Sequence, residues 1–174
     1  MSPVTRIRLG GLVVAAIVFF LDQGMKGFVA GPLDLRSQPD GAIELLPFFD
    51  LRWTQNFGVS LGMLTADTME MRWLLVALTG VIALFVFIWM LREKALPDVM
   101  ALALVLGGAL GNIRDRVEYG YVIDYADFHI GTFRPFLVFN VADAAITIGV
   151  LLILARTLLS RDKPKADAQT APET

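Results

Sequence analysis

Four long apolar stretches divide the chain, and most charged residues collect at or beyond their ends. The stretches run from about Leu9 to Val29, Trp73 to Leu91, Pro97 to Ile113 and Phe136 to Leu159. Each approaches the roughly 20 residues that an α-helix needs to cross a bilayer. We therefore predict an all-α membrane protein with four transmembrane helices, spanning about 9–29, 73–91, 97–113 and 136–159.

The first stretch also has features of a secretory signal peptide, because Arg6 and Arg8 precede a long apolar run. Asp22 and Lys26 interrupt that run, and three further spans follow. We expect the first stretch to be retained as a helix.

The segments between the spans predict a small amount of additional structure. In the long connection 30–72, the run from Phe48 to Thr54 has the partly alternating aromatic pattern of a strand, and Gly58 and Gly62 allow tight bends. We expect a small extracytoplasmic β-sheet resting on the membrane, with an outer loop over the active site. Residues 1–163 then form one membrane domain with outer loops 30–72 and 114–135, and the polar tail 164–174 is predicted to be disordered.

Basic residues are denser on the side of the membrane that carries both termini. They lie there in short flanks: Arg6, Arg8, Arg92, Lys94, Arg156, Arg161, Lys163 and Lys165. Lys and Arg favour the cytoplasmic side in short loops, so we expect both termini to be cytoplasmic.

The amino-acid composition excludes several classes of function and of catalytic site. The hydrophobic fraction is 56 % and the mean hydropathy is +0.62, whereas the net charge of −2 gives no basic surface for nucleic acid. The chain has no cysteine, which excludes disulfides, thiolate nucleophiles and iron–sulfur clusters. A single histidine, His129, argues against a zinc site, so we expect neither a metal nor another cofactor.

Ionisable and amide side chains in and near the spans are predicted to converge at one depth, near the outer surface. Such groups are costly inside a bilayer and usually have a function. They are Asp22, Lys26, Asn56, Asn112, Asp115, Arg116, Asp124, Asp127, Asn140 and Asp143.

Two carboxylates in a poorly hydrated site cannot both ionise easily, so one holds a proton while the other acts as a base on water. Such a pair can hydrolyse an amide without a metal. Asp124 and Asp143 are the best candidates, because the segment from His129 to Pro135 can fold back between them. Asp127, in the same loop as Asp124, remains an alternative.

Several motifs together resemble those of lipoprotein signal peptidase, also called signal peptidase II. They are Asp22-Gln23-x-x-Lys26, the run from Asn56 to Gly62, the run from Gly107 to Arg116, Val122-Ile123-Asp124-Tyr125 and Phe139-Asn140-Val141-Ala142-Asp143. Their order and their positions at the span ends make the resemblance specific.

The resemblance implies an intramembrane aspartyl endopeptidase of the bacterial cytoplasmic membrane, with Asp124 and Asp143 as catalytic residues. It also implies residues that bind substrate or organise the site: Asp22, Lys26, Asn56, Gly58, Asn112, Asp115, Arg116 and Asn140. The implied substrate is a prolipoprotein whose cysteine after the signal peptide carries a diacylglyceryl group. Membrane lipid is the other expected partner, and no obligate protein partner is indicated.

Simpler roles compete with functional ones at several positions. Asp22 and Lys26 have the spacing of an ion pair on one helix face, and we expect them to support the fold. Gly107 and Gly111 have the spacing of a close helix-packing surface. Asp115 and Arg116 could form an interfacial charge pair with Asp124.

Two other function classes remain open. A Ser–Lys hydrolase could use Ser60 as nucleophile and Lys26 as base. A small proton-coupled carrier would also place acids in the membrane, although these acids cluster at one depth and the spans have no evident inverted repeat.

Overall fold

The computed structural model describes residues 2–58 and 69–160 of the chain. Ser60, Gly62, the rest of the outer-loop segment 59–68 and the tail 164–174 lie outside the described residues. Most of the described residues belong to four helices: α1 (Pro3–Ala30), α2 (Met69–Arg92), α3 (Leu96–Glu118) and α4 (Val141–Ser160). All four are long and apolar enough to cross a membrane.

Three short strands form an antiparallel sheet with the order β1 (Ala42–Leu46), β2 (Phe49–Asn56) and β3 (Val122–Phe128). Two short 3₁₀ turns, Leu35–Ser37 and Pro39–Gly41, link α1 to β1. The four membrane helices and the small sheet confirm the predicted fold class.

Helix α3 is the centre of the bundle. Of its most apolar stretch, 56 % is buried, against 17 %, 11 % and 17 % for α1, α2 and α4. A Cβ at Gly107 would lie 2.5 Å from the carbonyl oxygen of Ala15 in α1, and one at Gly108 would collide with the carbonyl of Ala142 in α4. These glycines therefore let two helix backbones approach α3 closely, which agrees with the packing role predicted for Gly107.

The sheet packs against one end of the bundle, which we call the sheet end. There Val29 at the end of α1 and Leu35 belong to one apolar cluster with Ile123 and Tyr125 of β3, and Val141 at the start of α4 packs against it. Because α1 and α3 end and α4 begins at this level, the polar residues at those helix ends come together.

Three helices differ from their predicted spans at the sheet end, and one of them, α2, begins at Met69 rather than at Trp73. Helix α4 begins at Val141 rather than near Phe136, because the backbone N–H of Phe139 donates to the carbonyl of Ala126 in β3 and keeps that segment extended. Helix α3 continues past Ile113 to Glu118 through residues too polar to register as a span.

Candidate active site

Asp124 lies within β3 and Asp143 in the first turn of α4. Asp124 is 1 % exposed, whereas Asp143 is half-buried. Burial and, secondly, the charge of Asp143 raise the pKa of Asp124 from 3.8 to about 7. The two carboxylates thus interact electrostatically, as expected of groups that share a site.

Two side-chain amides hold the carboxylate of Asp124. The Nδ2 of Asn140 donates to its Oδ1 over 2.6 Å, and the Nδ2 of Asn56 donates to its Oδ2 over 3.0 Å. The Oδ1 of Asn56 accepts from the backbone N–H of Gly58 over 3.0 Å, which leaves its NH₂ group facing Asp124. Asn56 and Gly58 therefore act together in orienting this carboxylate.

Asp143 and Asn140 form a reciprocal cap at the start of α4. The backbone N–H of Asp143 donates to Oδ1 of Asn140 over 2.9 Å, and the backbone N–H of Asn140 donates to Oδ2 of Asp143 over 3.3 Å. This is the geometry of a capping box, in which each side chain satisfies the other residue's backbone. Asn112 donates to the remaining oxygen of Asp143 over 2.8 Å, so the carboxylate has a defined orientation.

Lys26 is 2 % exposed and is connected to Asp143 through the side chain of Asn112. Its Nζ is 2.8 Å from Asp22, 2.7 Å from Asp115 and 2.9 Å from Oδ1 of Asn112. The predicted ion pair with Asp22 is confirmed. Asn112 links this cation to Asp143, because its oxygen accepts from Lys26 while its NH₂ group donates to the carboxylate.

The two acids beside Lys26 also hold the backbone segments that carry the candidate pair. Oδ1 of Asp22 accepts from the N–H of Ala142 in α4 over 3.0 Å, and Oδ2 of Asp115 accepts from the N–H of Ile123 in β3 over 3.2 Å. Asp22 and Asp115 therefore hold in place the backbone next to Asp143 and Asp124. Of the alternative in which Asp115 and Arg116 form an interfacial charge group with Asp124, the structure shows that Asp115 pairs with Lys26 and accepts from this backbone N–H.

Gln23 is a supporting residue that the sequence reasoning missed. Its Nε2 donates to Asp115 over 3.0 Å and to the carbonyl of Gly111 over 3.1 Å, while its Oε1 accepts from Arg114. Its position beside Asp22 in the first-helix motif was the available signal.

Asp127 belongs to a separate ion cluster. It is fully buried, and the Nε atoms of Arg52 and Arg134 each lie 2.9 Å from its Oδ2. Burial alone would raise its pKa, but the hydrogen bonds and charges of Arg134 and Arg52 lower the pKa of Asp127 below its usual value. A carboxylate paired with two cations is a poor partner for Asp143.

Arg116 is half-buried at the end of α3 and has unused hydrogen-bonding capacity. Its Nη1 reaches only the carbonyl of Asn112, over 3.5 Å, and its buried Nε has no hydrogen-bond partner among the described residues. A buried guanidinium N–H of this kind is available to an incoming acceptor.

Comparisons with known proteins give one consistent match. Residues 14–159 match the sequence profile of the family described as signal peptidase (SPase) II. The lipoprotein signal peptidase of Sphingopyxis alaskensis is 58 % identical over 169 residues, covering 97 % of this chain and 95 % of that protein. The lipoprotein signal peptidase of Rhizorhabdus wittichii is 57 % identical over 159 residues, covering 91 % of each.

The fold also matches a solved structure, described as a bacterial membrane enzyme determined by the in meso method at 2.3 Å resolution. It is 27 % identical, with a TM-score of 0.72 over 92 % of this chain and 94 % of that one.

Proposed function

The chain belongs to the signal peptidase II family, and from that premise we propose that it removes signal peptides from diacylglyceryl-cysteine-modified bacterial prolipoproteins with an Asp124/Asp143 pair. Membership makes the chain a peptidase, and its four apolar helices make it a multi-pass membrane protein. The observation that carries the proposal is the electrostatic coupling of the two carboxylates around Asn140, which contacts both.

In the proposed reaction, the ionised carboxylate takes a proton from a water molecule lying between the pair. The water oxygen attacks the carbonyl carbon of the residue before the lipid-modified cysteine, and the protonated carboxyl donates to the carbonyl oxygen. The C–N bond then breaks, the leaving amine receives a proton, and the products are a signal-peptide carboxylic acid and a free amino group on the cysteine.

The surrounding residues have separate roles in this scheme. Asn56, Asn112 and Asn140 orient the carboxylates, and Lys26 with Asp22 and Asp115 keeps their backbone segments in place. The Nε–H of Arg116, which has no partner among residues 2–58 and 69–160, suits a donor to a substrate carbonyl. The backbone N–H of Gly58 keeps the side-chain amide of Asn56 turned towards Asp124.

The membrane arrangement is part of the proposal. Both termini lie in the cytoplasm, the sheet end faces outward, and the site opens near the outer leaflet of the cytoplasmic membrane. No cofactor and no obligate protein partner take part. The lipid of the substrate stays in the bilayer while the scissile bond enters the polar cluster.

The test compares three aspartate variants with wild type in detergent. Asp124→Asn and Asp143→Asn should be folded and inactive on a lipidated precursor, because each removes one member of the proton-sharing pair. Asp127→Asn, three residues along the same strand, is the matched control and should keep most of the activity. Substantial turnover by either of the first two variants would refute the assignment.

The same precursor without its lipid should be cleaved poorly by wild type. Equal cleavage of both forms would contradict the proposed substrate class while leaving the aspartate assignment standing.

The Ser–Lys alternative is disfavoured by the surroundings of Lys26. Its three N–H donors already have acceptors in Asp22, Asp115 and Asn112, so Nζ presents no lone pair to a nucleophile. Ser60 lies outside the described residues, and Ser60→Ala should retain turnover. Membership of a peptidase family argues against the carrier alternative, which would require flux across liposomes without cleavage.

A further inference from the structure

A pocket of about 280 Å³ with a charged lining lies at the end of the helix bundle opposite the sheet. Three helices and their ends contribute to it, and its lining includes Trp89, Glu93, Asp98, Leu102, Arg156 and Thr157. We call this space the α2–α4 pocket, because helices α2 and α4 form its two sides and α3 its floor.

The α2–α4 pocket lies on the same faces of α3 and α4 as the candidate active site. Asp98 precedes Asn112 by fourteen residues in α3, and Thr157 follows Asp143 by fourteen residues in α4. Fourteen residues make about four helical turns, so the two members of each pair point in nearly the same direction, about 21 Å apart along the helix. A linear segment that lies along these helices therefore reaches the active site and the pocket at once.

The lining of the pocket carries one negative charge without a matching cation. Within the described chain, Glu93 and Asp98 are the acids at this end of the bundle, and both line the pocket. Arg156 neutralises Asp98, because its Nε and Nη2 donate to the two carboxylate oxygens over 2.5 and 3.0 Å. Glu93 forms no such ion pair with a described residue.

The carboxylate of Glu93 is fixed in place and ionised. Its Oε1 accepts from the backbone N–H groups of Lys94 over 2.7 Å and Ala95 over 3.1 Å. These two hydrogen bonds lower the pKa of Glu93 below its usual value. The pocket therefore presents a permanent negative charge at neutral pH, which favours a cationic occupant and disfavours the phosphate of a lipid headgroup.

A signal peptide has a cationic segment at the right distance to be this occupant. Signal peptides begin with a basic n-region, which is followed by an apolar stretch of about 7–15 residues before the cleavage site. When the scissile bond lies at Asp143, about fourteen helical residues cover the roughly 21 Å to the pocket. The first basic residues of the peptide then arrive beside Glu93.

We propose that the α2–α4 pocket binds the basic n-region of the substrate's signal peptide, with Glu93 as its counter-charge. The inference rests on the proposed function and deepens it, because it names how the far end of the signal peptide is recognised. Holding that end places the peptide along α3 and α4 and so brings one peptide bond to the depth of the carboxylates.

The experiment measures binding of lipidated precursor peptides in nanodiscs of phosphatidylcholine, a lipid without net charge. Each peptide has a ketomethylene group in place of the scissile amide and a fluorophore beyond the cysteine, so that anisotropy gives Kd without turnover. One peptide has two lysines in its n-region, and its matched control has two glutamines there. A third peptide keeps the lysines but has seven leucines added to its apolar stretch, which moves the n-region by about 10 Å.

The protein variants change the charge of the pocket in opposite directions. Glu93→Gln removes the negative charge and keeps an oxygen for the backbone N–H groups of Lys94 and Ala95. Arg156→Gln removes the cation that neutralises Asp98, so it makes the pocket more negative.

We expect Glu93→Gln to weaken binding of the lysine peptide about threefold and Arg156→Gln to strengthen it by a similar factor. Both variants should leave the Kd of the glutamine peptide and of the lengthened peptide unchanged. A variant that changes the Kd of the lysine and glutamine peptides equally, the same direction of change in both variants, or an undiminished effect on the lengthened peptide would overturn the inference.

A separate measurement keeps this inference distinct from the proposed function. Wild type is assayed for cleavage of the lysine peptide with its natural amide. Absence of cleavage would contradict the proposed function. Cleavage combined with a Kd that does not respond to these charge changes would contradict the role of the α2–α4 pocket alone.

Discussion

The side-chain amide of Asn140 donates to the carboxylate of Asp124 over 2.6 Å. The same side chain accepts from the backbone of Asp143 and begins helix α4. A single residue therefore ties a strand carboxylate to a helix carboxylate, and the geometry of the candidate pair depends on it.

Replacing Asn140 with Ala should lower kcat about 100-fold, the order found when one preorganised donor is removed from a site. It should also cost about 1 kcal/mol of stability through loss of the helix cap. Steady-state kinetics with a lipidated peptide and thermal unfolding in detergent measure the two effects. Gln38→Ala, which removes a side-chain amide that donates to the carbonyl of Leu33, is the control and should leave kcat unchanged.

The raised pKa of Asp124 predicts how stability depends on pH. Between its ordinary value of 3.8 and about 7, the folded protein binds a proton at Asp124 that the unfolded chain has released. The contribution of this group therefore lowers the free energy of unfolding as pH rises through that window, by an amount of the order of a few kcal/mol. Denaturant unfolding at several pH values should show a flatter dependence for Asp124→Asn than for wild type. Asp127→Asn should keep the wild-type slope in the upper part of the window, and an unchanged slope in Asp124→Asn would contradict the prediction.

The same pKa predicts the alkaline limb of the activity profile. If the reaction needs one proton on the pair, kcat/KM should fall as pH rises through about 7, because Asp124 then loses its proton. The observed value belongs to the coupled pair and not to one residue alone. Rates measured from about pH 5 to 9 test this, and a profile still rising at the alkaline end would contradict it.

Replacing Lys26 with Met should destabilise the fold by about 3–5 kcal/mol, because Asp22 and Asp115 would remain buried without their cation. Adding Asp22→Asn should recover part of the loss by removing one uncompensated charge. Glu118→Gln disrupts the Arg114–Glu118 pair, whose side chains are 44 % and 45 % exposed, and should cost less than about 1 kcal/mol. Equal losses from the buried and exposed pairs would contradict this account.

Arg72 connects the start of α2 to the end of α3. Its Nε donates to the carbonyl of Arg116 over 2.7 Å and its Nη2 to that of Val117 over 2.5 Å. Arg72 thus adds two hydrogen bonds in the last turn of α3, where the carbonyl of Arg116 also accepts from the backbone N–H of Gly120 over 3.2 Å. Arg72→Met should cost about 1–3 kcal/mol and lower kcat, because the backbone of Arg116 loses its anchor. Arg36→Met, at an exposed turn, should change neither thermal stability nor turnover, and similar losses in both variants would indicate a general effect of removing charge.

The start of α4 illustrates where sequence reasoning reached its limit. Hydropathy alone extends the fourth span to Phe136, since residues 136–139 are apolar. In the structure Phe139 exchanges backbone hydrogen bonds with Ala126, so the helix can begin only afterwards. A contact between distant segments overrides local composition here.

The choice between Asp124 and Asp127 also depends on contacts between segments that are distant along the chain. Both are acids on one short strand, and their own neighbours do not separate them without a family resemblance. The register of β2 against β3, which shifts between Leu51 and Thr54, places Asp124 opposite Thr54, and the tertiary fold brings Arg52 and Arg134 to Asp127. Those arginines neutralise Asp127, whereas Asp124 interacts electrostatically with Asp143.

Long apolar runs and a four-residue spacing on one helix face are local properties, so the chain alone sufficed to predict four membrane helices and the pairing of Asp22 with Lys26. Strand register, the capping of α4 by Asn140 and the links from Lys26 to Asp115 and Asn112 join residues far apart along the chain. These depend on how helices and strands pack, because a hydrogen bond or ion pair forms only when its two groups are brought within about 3 Å of each other. Only the tertiary structure could therefore decide which charged groups support the site and which acids face each other within it.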